Sequence, residues 1–85
     1  MVFKETAVGR VFTHTDAQQI VGRCMRYDSE ITFEMGTKKI NGKSLMGVIS
    51  MALKSDDVVT VIAKGDDQED ALAAAVKMLS AKHPE

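Results

Sequence analysis

With 85 residues, 45% of them hydrophobic and 27% charged, the chain has the proportions of one domain spanning 1–85, with no room for a second core or a large enclosed active-site cavity. Lys and Arg number 11 against 12 Asp and Glu, a formal charge of -1, so no basic surplus exists for direct nucleic-acid binding through phosphate neutralisation. Cys24 is the one cysteine, which excludes an intrachain disulfide, and no apolar run follows Met1 as a signal core or reaches membrane length, so a reducing cytoplasm is the expected location.

Residues 2–8 form a short β-permissive run that stops at Gly9, and predict a first strand. From Ala17 onward Ile20, Val21 and Cys24, with Met25 or Tyr27, fall at the i, i+3, i+4, i+7 spacing of one helix face, which places Cys24 in the core. Two capping-box signals precede this helix, Thr13 with Asp16 and Thr15 with Gln18, so its cap lies within residues 13–15. Ile31, Phe33 and Met35 then alternate with Thr32 and Glu34, and Gly36-Thr37 turns the chain into Lys38–Asn41, a hairpin.

Ser44 precedes Leu45, Met46, Val48, Ile49, Ala52 and Leu53, a short helix interrupted by Gly47. Val58 to Ala63 is β-branched and nearly continuous, a strand buried on most of its surface, broken by Gly65-Asp66-Asp67. A last helix starts in the acidic residues Asp66, Asp67, Glu69 and Asp70. Its expected core stripe is Leu72, Val76 and Leu79 filled in by Ala75, with Lys77 and Lys82 late and Pro84 beyond its end. The order βαββαβα predicts an α+β open sandwich, a mainly antiparallel four-stranded sheet with three helices on one face and solvent on the other. The core should comprise mainly Ile20, Val21, Cys24, Ile31, Phe33, Leu45, Val59, Val61, Leu72, Val76 and Leu79.

The segment Lys38-Lys39-Ile40-Asn41-Gly42-Lys43-Ser44-Leu45-Met46-Gly47-Val48-Ile49-Ser50 closely resembles the regulatory-serine region of the histidine-containing phosphocarrier family, HPr, and K-S-[IL]-M-G is the specific part of that pattern. The similarity runs without gaps from Tyr27-Asp28-Ser29-Glu30-Ile31 to the last helix, about two thirds of the chain. Family members carry G-[IL]-H-x-R-P-A at the start of the first helix. The gapless register puts Thr13 on the histidine, Thr15 on the arginine and Asp16 on the proline; a one-residue deletion would instead put His14 on the histidine, still without the arginine and proline. Thr13, His14, Thr15 and Asp16 thus read as a degenerate phosphohistidine site. A phosphohistidine is stabilised by free helix amides and a guanidinium, whereas Asp16 places a carboxylate there.

The resemblance implies a non-enzymatic regulatory module without a cofactor, similar to the catabolite-repression branch in which the histidine is lost and the serine retained. It also implies an HPr kinase/phosphorylase as modifier and a LacI-type catabolite regulator as reader. Two other readings stay open: a divergent phosphocarrier, passing phosphoryl groups from enzyme I to sugar permease components through His14, and a binding domain that has lost both phosphorylations and uses only the Met46 and Ile49 patch. Ser44 is either simply an N-cap or a cap that is also phosphorylated, since a helix N-terminus accepts a dianion. Leu45, Met46 and Ile49 either face the core or form an adaptable apolar partner patch, with Lys39 and Lys43 able to pair with phosphoserine or a partner's carboxylates. His83 stands beside the C-terminus and is expected to be disordered. Two distant histidines and one core cysteine supply no metal site.

Overall fold

The computed structural model, which describes residues 1–83, arranges seven elements as β1 (Val2–Ala7), α1 (His14–Cys24), β2 (Glu30–Met35), β3 (Lys38–Asn41), α2 (Leu45–Met51), β4 (Val58–Lys64) and α3 (Gln68–Ser80). All pairings are antiparallel, in the strand order β1-β4-β2-β3. The β-branched run predicted to be most buried is therefore an interior strand, β4. Val59, Val61 and Ala63 point to the helices and are buried, whereas Val58, Thr60, Ile62 and Lys64 line the open face. The same alternation runs through β2, where Ile31 and Phe33 are buried between Glu30, Thr32 and Glu34.

Helix α1 buries Ala17, Ile20, Val21 and Cys24, the stripe its spacing predicts. Its cap is Thr13; Thr15 is an exposed residue of the first turn. Between β1 and α1 the chain is held by Val8 N–H to the Asp57 carbonyl at 2.7 Å, Gly9 N–H to the Leu79 carbonyl and Phe12 N–H to the Leu53 carbonyl, both at 2.9 Å. A Cβ on Gly9 would collide with the Ser80 carbonyl oxygen and lie 2.6 Å from that of Ala81. Only glycine lets the backbone pass this close to the end of α3.

The stripe on α3 is corrected. Its buried residues are Ala71, Ala75, Met78 and Leu79, and Leu72 and Val76 are only half-buried on its flank. Two alanines toward the sheet allow the helix to lie close to it, which turns the larger side chains outward against β1. Leu45 is likewise half-buried and packs on the edge of the core. The core gains Val8, Val48, Met51 and Leu53 instead. Helix α3 begins at Gln68 after Asp67 and ends at Ser80, so Lys82 lies past it. His83 is an exposed bend residue, and the expected stop at Pro84 lies outside the described residues.

Candidate functional site

Helix α1 starts at a closed capping box. The Thr13 hydroxyl accepts the Asp16 N–H at 3.1 Å, while Asp16 Oδ2 accepts the Thr13 N–H at 2.9 Å and its hydroxyl at 3.1 Å. The second carboxylate oxygen accepts from Arg10 Nη2 at 3.1 Å. Arg10 Nη1 donates to the Ala81 carbonyl at 2.7 Å and the Met78 carbonyl at 3.4 Å, and its guanidinium lies 4.7 Å from the centre of the Phe12 ring. Burial by itself would raise the Asp16 carboxyl. The hydrogen bonds from the Thr13 backbone, Arg10 and the Thr13 hydroxyl, with the Arg10 charge, outweigh burial and hold it below the ordinary carboxylate value. The positive end of α1 is thus occupied by the chain's own anion. His14, the first helical residue, is exposed beside it.

Arg10 is the residue that motif reading passed over. It lies outside the G-[IL]-H-x-R-P-A and K-S-[IL]-M-G patterns, and its one sequence signal is an isolated cation six residues before a capping-box acid.

Helix α2 starts at Ser44, whose Oγ accepts the Gly47 N–H at 3.1 Å. The cap is set by the loop before it: Asn41 Oδ1 accepts the Lys43 N–H at 2.8 Å and the Asn41 carbonyl accepts the Ser44 N–H at 2.9 Å. Gly47 fits its place in the K-S-L-M-G run because a Cβ there would lie 3.2 Å from Ile40 and 3.3 Å from Ser44 Oγ. Ser44 is half-buried, Leu45 and Ile49 are half-buried, and Met46 is 80% exposed. Ile49 also lines a cleft of about 190 Å³ between the end of α2 and the start of α1, with Phe12, Thr13 and His14 on its other wall.

The structure therefore brings His14 and Ile49 to one cleft and puts Ser44 at the start of α2, about 7.5 Å of helix rise from Ile49. The two lysines diverge. Lys43 reaches back to the Tyr27 carbonyl at 2.6 Å. Lys39 lies on the open face of the sheet, opposite α2, where it pairs with Glu34 at 3.3 Å, so it is not beside Ser44 as a phosphoserine partner would be.

On the far side of the sheet's end, Asp67 accepts from the Ser29 hydroxyl at 2.5 Å, the Asp28 N–H at 2.9 Å and the Ser29 N–H at 3.0 Å, which lowers its pKa, the Ser29 hydroxyl most strongly. This clamp ties the turn before β2 to the start of α3. Among the described residues no helix is long and apolar enough to cross a membrane.

The frame is an open-faced antiparallel sheet with helices in βαββαβα order, and α1 and α2 each start at a hydroxyl N-cap, Thr13 and Ser44. A family model described as the phosphotransferase-system HPr component phosphorylation site matches residues 14–81. The HPr-like protein Crh of Halalkalibacterium halodurans is 36% identical over 63 residues, 74% of this chain and 75% of that protein. An HPr structure from Thermoanaerobacter tengcongensis superposes with a TM-score of 0.89 at 30% identity, covering 96% of this chain and 94% of that one. Crh from Bacillus subtilis, a catabolite-repression protein solved as an intertwined dimer with a swapped domain, superposes with a TM-score of 0.77 at 29% identity, over 93% of this chain and 88% of that one. The chain belongs to the HPr family, and its curated relatives include the HPr-like proteins Crh of Halalkalibacterium halodurans and Bacillus subtilis.

Proposed function

We propose that this protein is a non-enzymatic regulatory HPr domain of the cytoplasm, acting in carbon catabolite repression and switched by phosphorylation of Ser44. The observation that carries this reading is the Ser44 cap itself. Its hydroxyl stands at the start of α2 in the K-S-L-M-G sequence, next to the 80% exposed Met46. A phosphate there adds nearly two negative charges to an apolar surface made by Leu45, Met46 and Ile49, and it does so where helix amides favour an anion. Lys43 flanks this surface. An HPr kinase/phosphorylase is the modifier and a LacI-type regulator the reader of the phosphorylated form.

The start of α1 supports the loss of phosphohistidine chemistry. The Asp16 carboxylate takes the Thr13 N–H and the Arg10 guanidinium, and the Thr13 hydroxyl takes the Asp16 N–H, so donors that a phosphoryl group on His14 or at Thr13 would need are already engaged. One observation favours the phosphocarrier alternative: the match to the family's phosphorylation-site model begins at His14. Intact-mass analysis after separate incubation with an HPr serine kinase and ATP, and with phosphoenolpyruvate plus enzyme I, decides between them. The regulatory reading expects one phosphate from the kinase, absent in Ser44→Ala, and none from enzyme I. Acid-labile phosphate lost in His14→Ala would establish the alternative.

A further inference from the structure

The face of the sheet turned away from the helices has a charge and shape pattern that the reading above does not use. In register across β1-β4-β2-β3, one row is Phe3, Ile62, Thr32 and Asn41, and the next is Glu5, Thr60, Glu34 and Lys39; Lys64 stands beside Glu30 at the end of the sheet. Phe3 on β1 is 71% exposed beside Ile62, whereas Val58 on β4, 52% exposed, stands beyond the Glu5 and Thr60 row, so Phe3 protrudes as the large apolar side chain of the β1 edge. On the β3 side an open hollow of about 370 Å³ lies along β2 and β3, walled by Glu30, Thr32, Lys39, Ile40, Asn41 and Lys43, so its rim is polar and an entering ring would pack on the stems of the two lysines.

We propose that a second copy of this chain docks on the open face about a two-fold axis parallel to the strands. That axis reverses the order of strands and keeps the rows, so β1 of one copy lies over β3 of the other. Phe3 then enters the hollow of the second copy, Glu5 faces its Lys39, which already pairs with Glu34 at 3.3 Å and is then shared between two carboxylates, and Lys64 faces its Glu30. Each contact occurs twice, as an isologous interface requires. The other possible axis, across the strands, would set Phe3 over Glu5 and bring no opposite charges together, so charge complementarity selects the first. Four strands about 4.8 Å apart and about 20 Å long give a footprint of about 400 Å² per copy, half that of a standard stable interface, so the dimer is weak and concentration-dependent. Both Ser44 sites stay on the outer, helical sides.

Sedimentation and translational-diffusion measurements on the full chain, over roughly 0.05 to 1 mM, test this. Apparent mass should rise with concentration. Phe3→Ser, Glu5→Lys and Lys39→Glu should each weaken association about tenfold or more, since the charge reversals place like charges opposite one another. An equimolar mixture of Glu5→Lys and Lys39→Glu should regain the wild-type affinity, because each variant supplies the charge that the other now faces. Melting of Phe3→Ser and Glu5→Lys should be unchanged, Lys39→Glu, which also loses the pair with Glu34, should melt somewhat lower but still cooperatively, and the mixing result stands whatever a single variant does. A chain that remains monomeric throughout, or a dimer that ignores both the reversals and the mixture, as one made by exchanging β1 would, overturns the proposal.

Discussion

Arg10 Nη2 lies 3.1 Å from Asp16 Oδ1, in a pair whose side chains are only 13% and 6% exposed. The same guanidinium holds the Ala81 carbonyl just past α3, so one side chain joins the start of one helix to the end of another. Both helix ends benefit, since a cation suits a C-terminus and a carboxylate suits an N-terminus. Asp16→Ala should therefore lose more than a cap: it removes the capping box and leaves a buried guanidinium without its counter-charge. A loss of about 3 kcal/mol or more is expected in urea denaturation. Thr15→Ala, at the exposed position that also carried a capping signal, should change stability by less than about 0.5 kcal/mol. Equal effects from the two would show that the cap is elsewhere.

Stability should have a plateau bounded by three side chains. Asp16 and Asp67 have folded-state pKa values below the ordinary range, so on acidification the unfolded chain takes up protons first. Their stabilisation is complete above about pH 5 and is lost as the pH falls through the unfolded and then the folded values. Cys24 behaves in the opposite sense. Burial, partly offset by the Lys43 charge, pushes its thiol up to about 11 from an ordinary 9.0. The unfolded thiol ionises first as the pH rises, so stability falls from about pH 8.5 upward. Urea midpoints measured across the range should be flat between about pH 5 and 8, and Cys24→Ala should remove part of the alkaline decline. An alkaline decline unchanged by Cys24→Ala would mean that the thiol is not its source.

Wherever a single periodicity governs an element, the fold was legible in the sequence. Ile31 and Phe33 alternate with polar neighbours, and Ile20, Val21 and Cys24 follow a helical repeat, because in both cases one face is apolar and the other is not. Helix α3 defeats this reasoning. It carries alanines and large residues on adjacent stripes, and hydrophobicity alone assigns the core to Leu72 and Val76. Contact distance to the sheet decides otherwise, and favours the small side chains of Ala71 and Ala75. Arg10 was illegible for a different reason, since its partners at Met78 and Ala81 are about 70 positions away and are backbone carbonyls, which any residue provides. Sequence proximity allows Lys39 to reach a phosphoserine or a partner's carboxylates, and strand alternation sends it to the open face of the sheet, where its neighbour is Glu34.

The revised stripe predicts unequal truncations on α3. Leu79 is fully buried, and Leu79→Ala should cost about 2 to 5 kcal/mol. Leu72 is half-buried beside Val2 and Lys4 at the outer edge of the helix, and Leu72→Ala should cost about 1 kcal/mol, because part of its surface already meets water. Enlarging the buried stripe should be worse than trimming its flank: Ala75→Leu forces a large side chain between helix and sheet, with an expected loss of about 1 to 3 kcal/mol. Denaturant midpoints for the three variants give the ranking, and a Leu72 effect equal to that of Leu79 would restore the stripe that hydrophobicity suggests.

Ser44 carries two roles that substitutions can separate. As a cap it accepts the Gly47 amide, and Ser44→Ala should cost about 1 kcal/mol in thermal or urea unfolding through that loss alone. Ser44→Asp retains an acceptor for the same amide and places a negative charge at the helix start, so its stability should match or slightly exceed wild type. Neither variant can take phosphate from a serine kinase. Binding to a reader of phosphoserine should vanish in Ser44→Ala and be partly retained in Ser44→Asp, because a carboxylate lacks the second charge and third oxygen of a phosphate. The comparison is sharpened by Met46→Ala, whose side chain is 80% exposed: stability should hardly change, while labelling by the kinase and binding by the reader both weaken. If Met46→Ala leaves both at wild-type levels while Ser44→Ala abolishes them, recognition uses the phosphate without the apolar surface beside it.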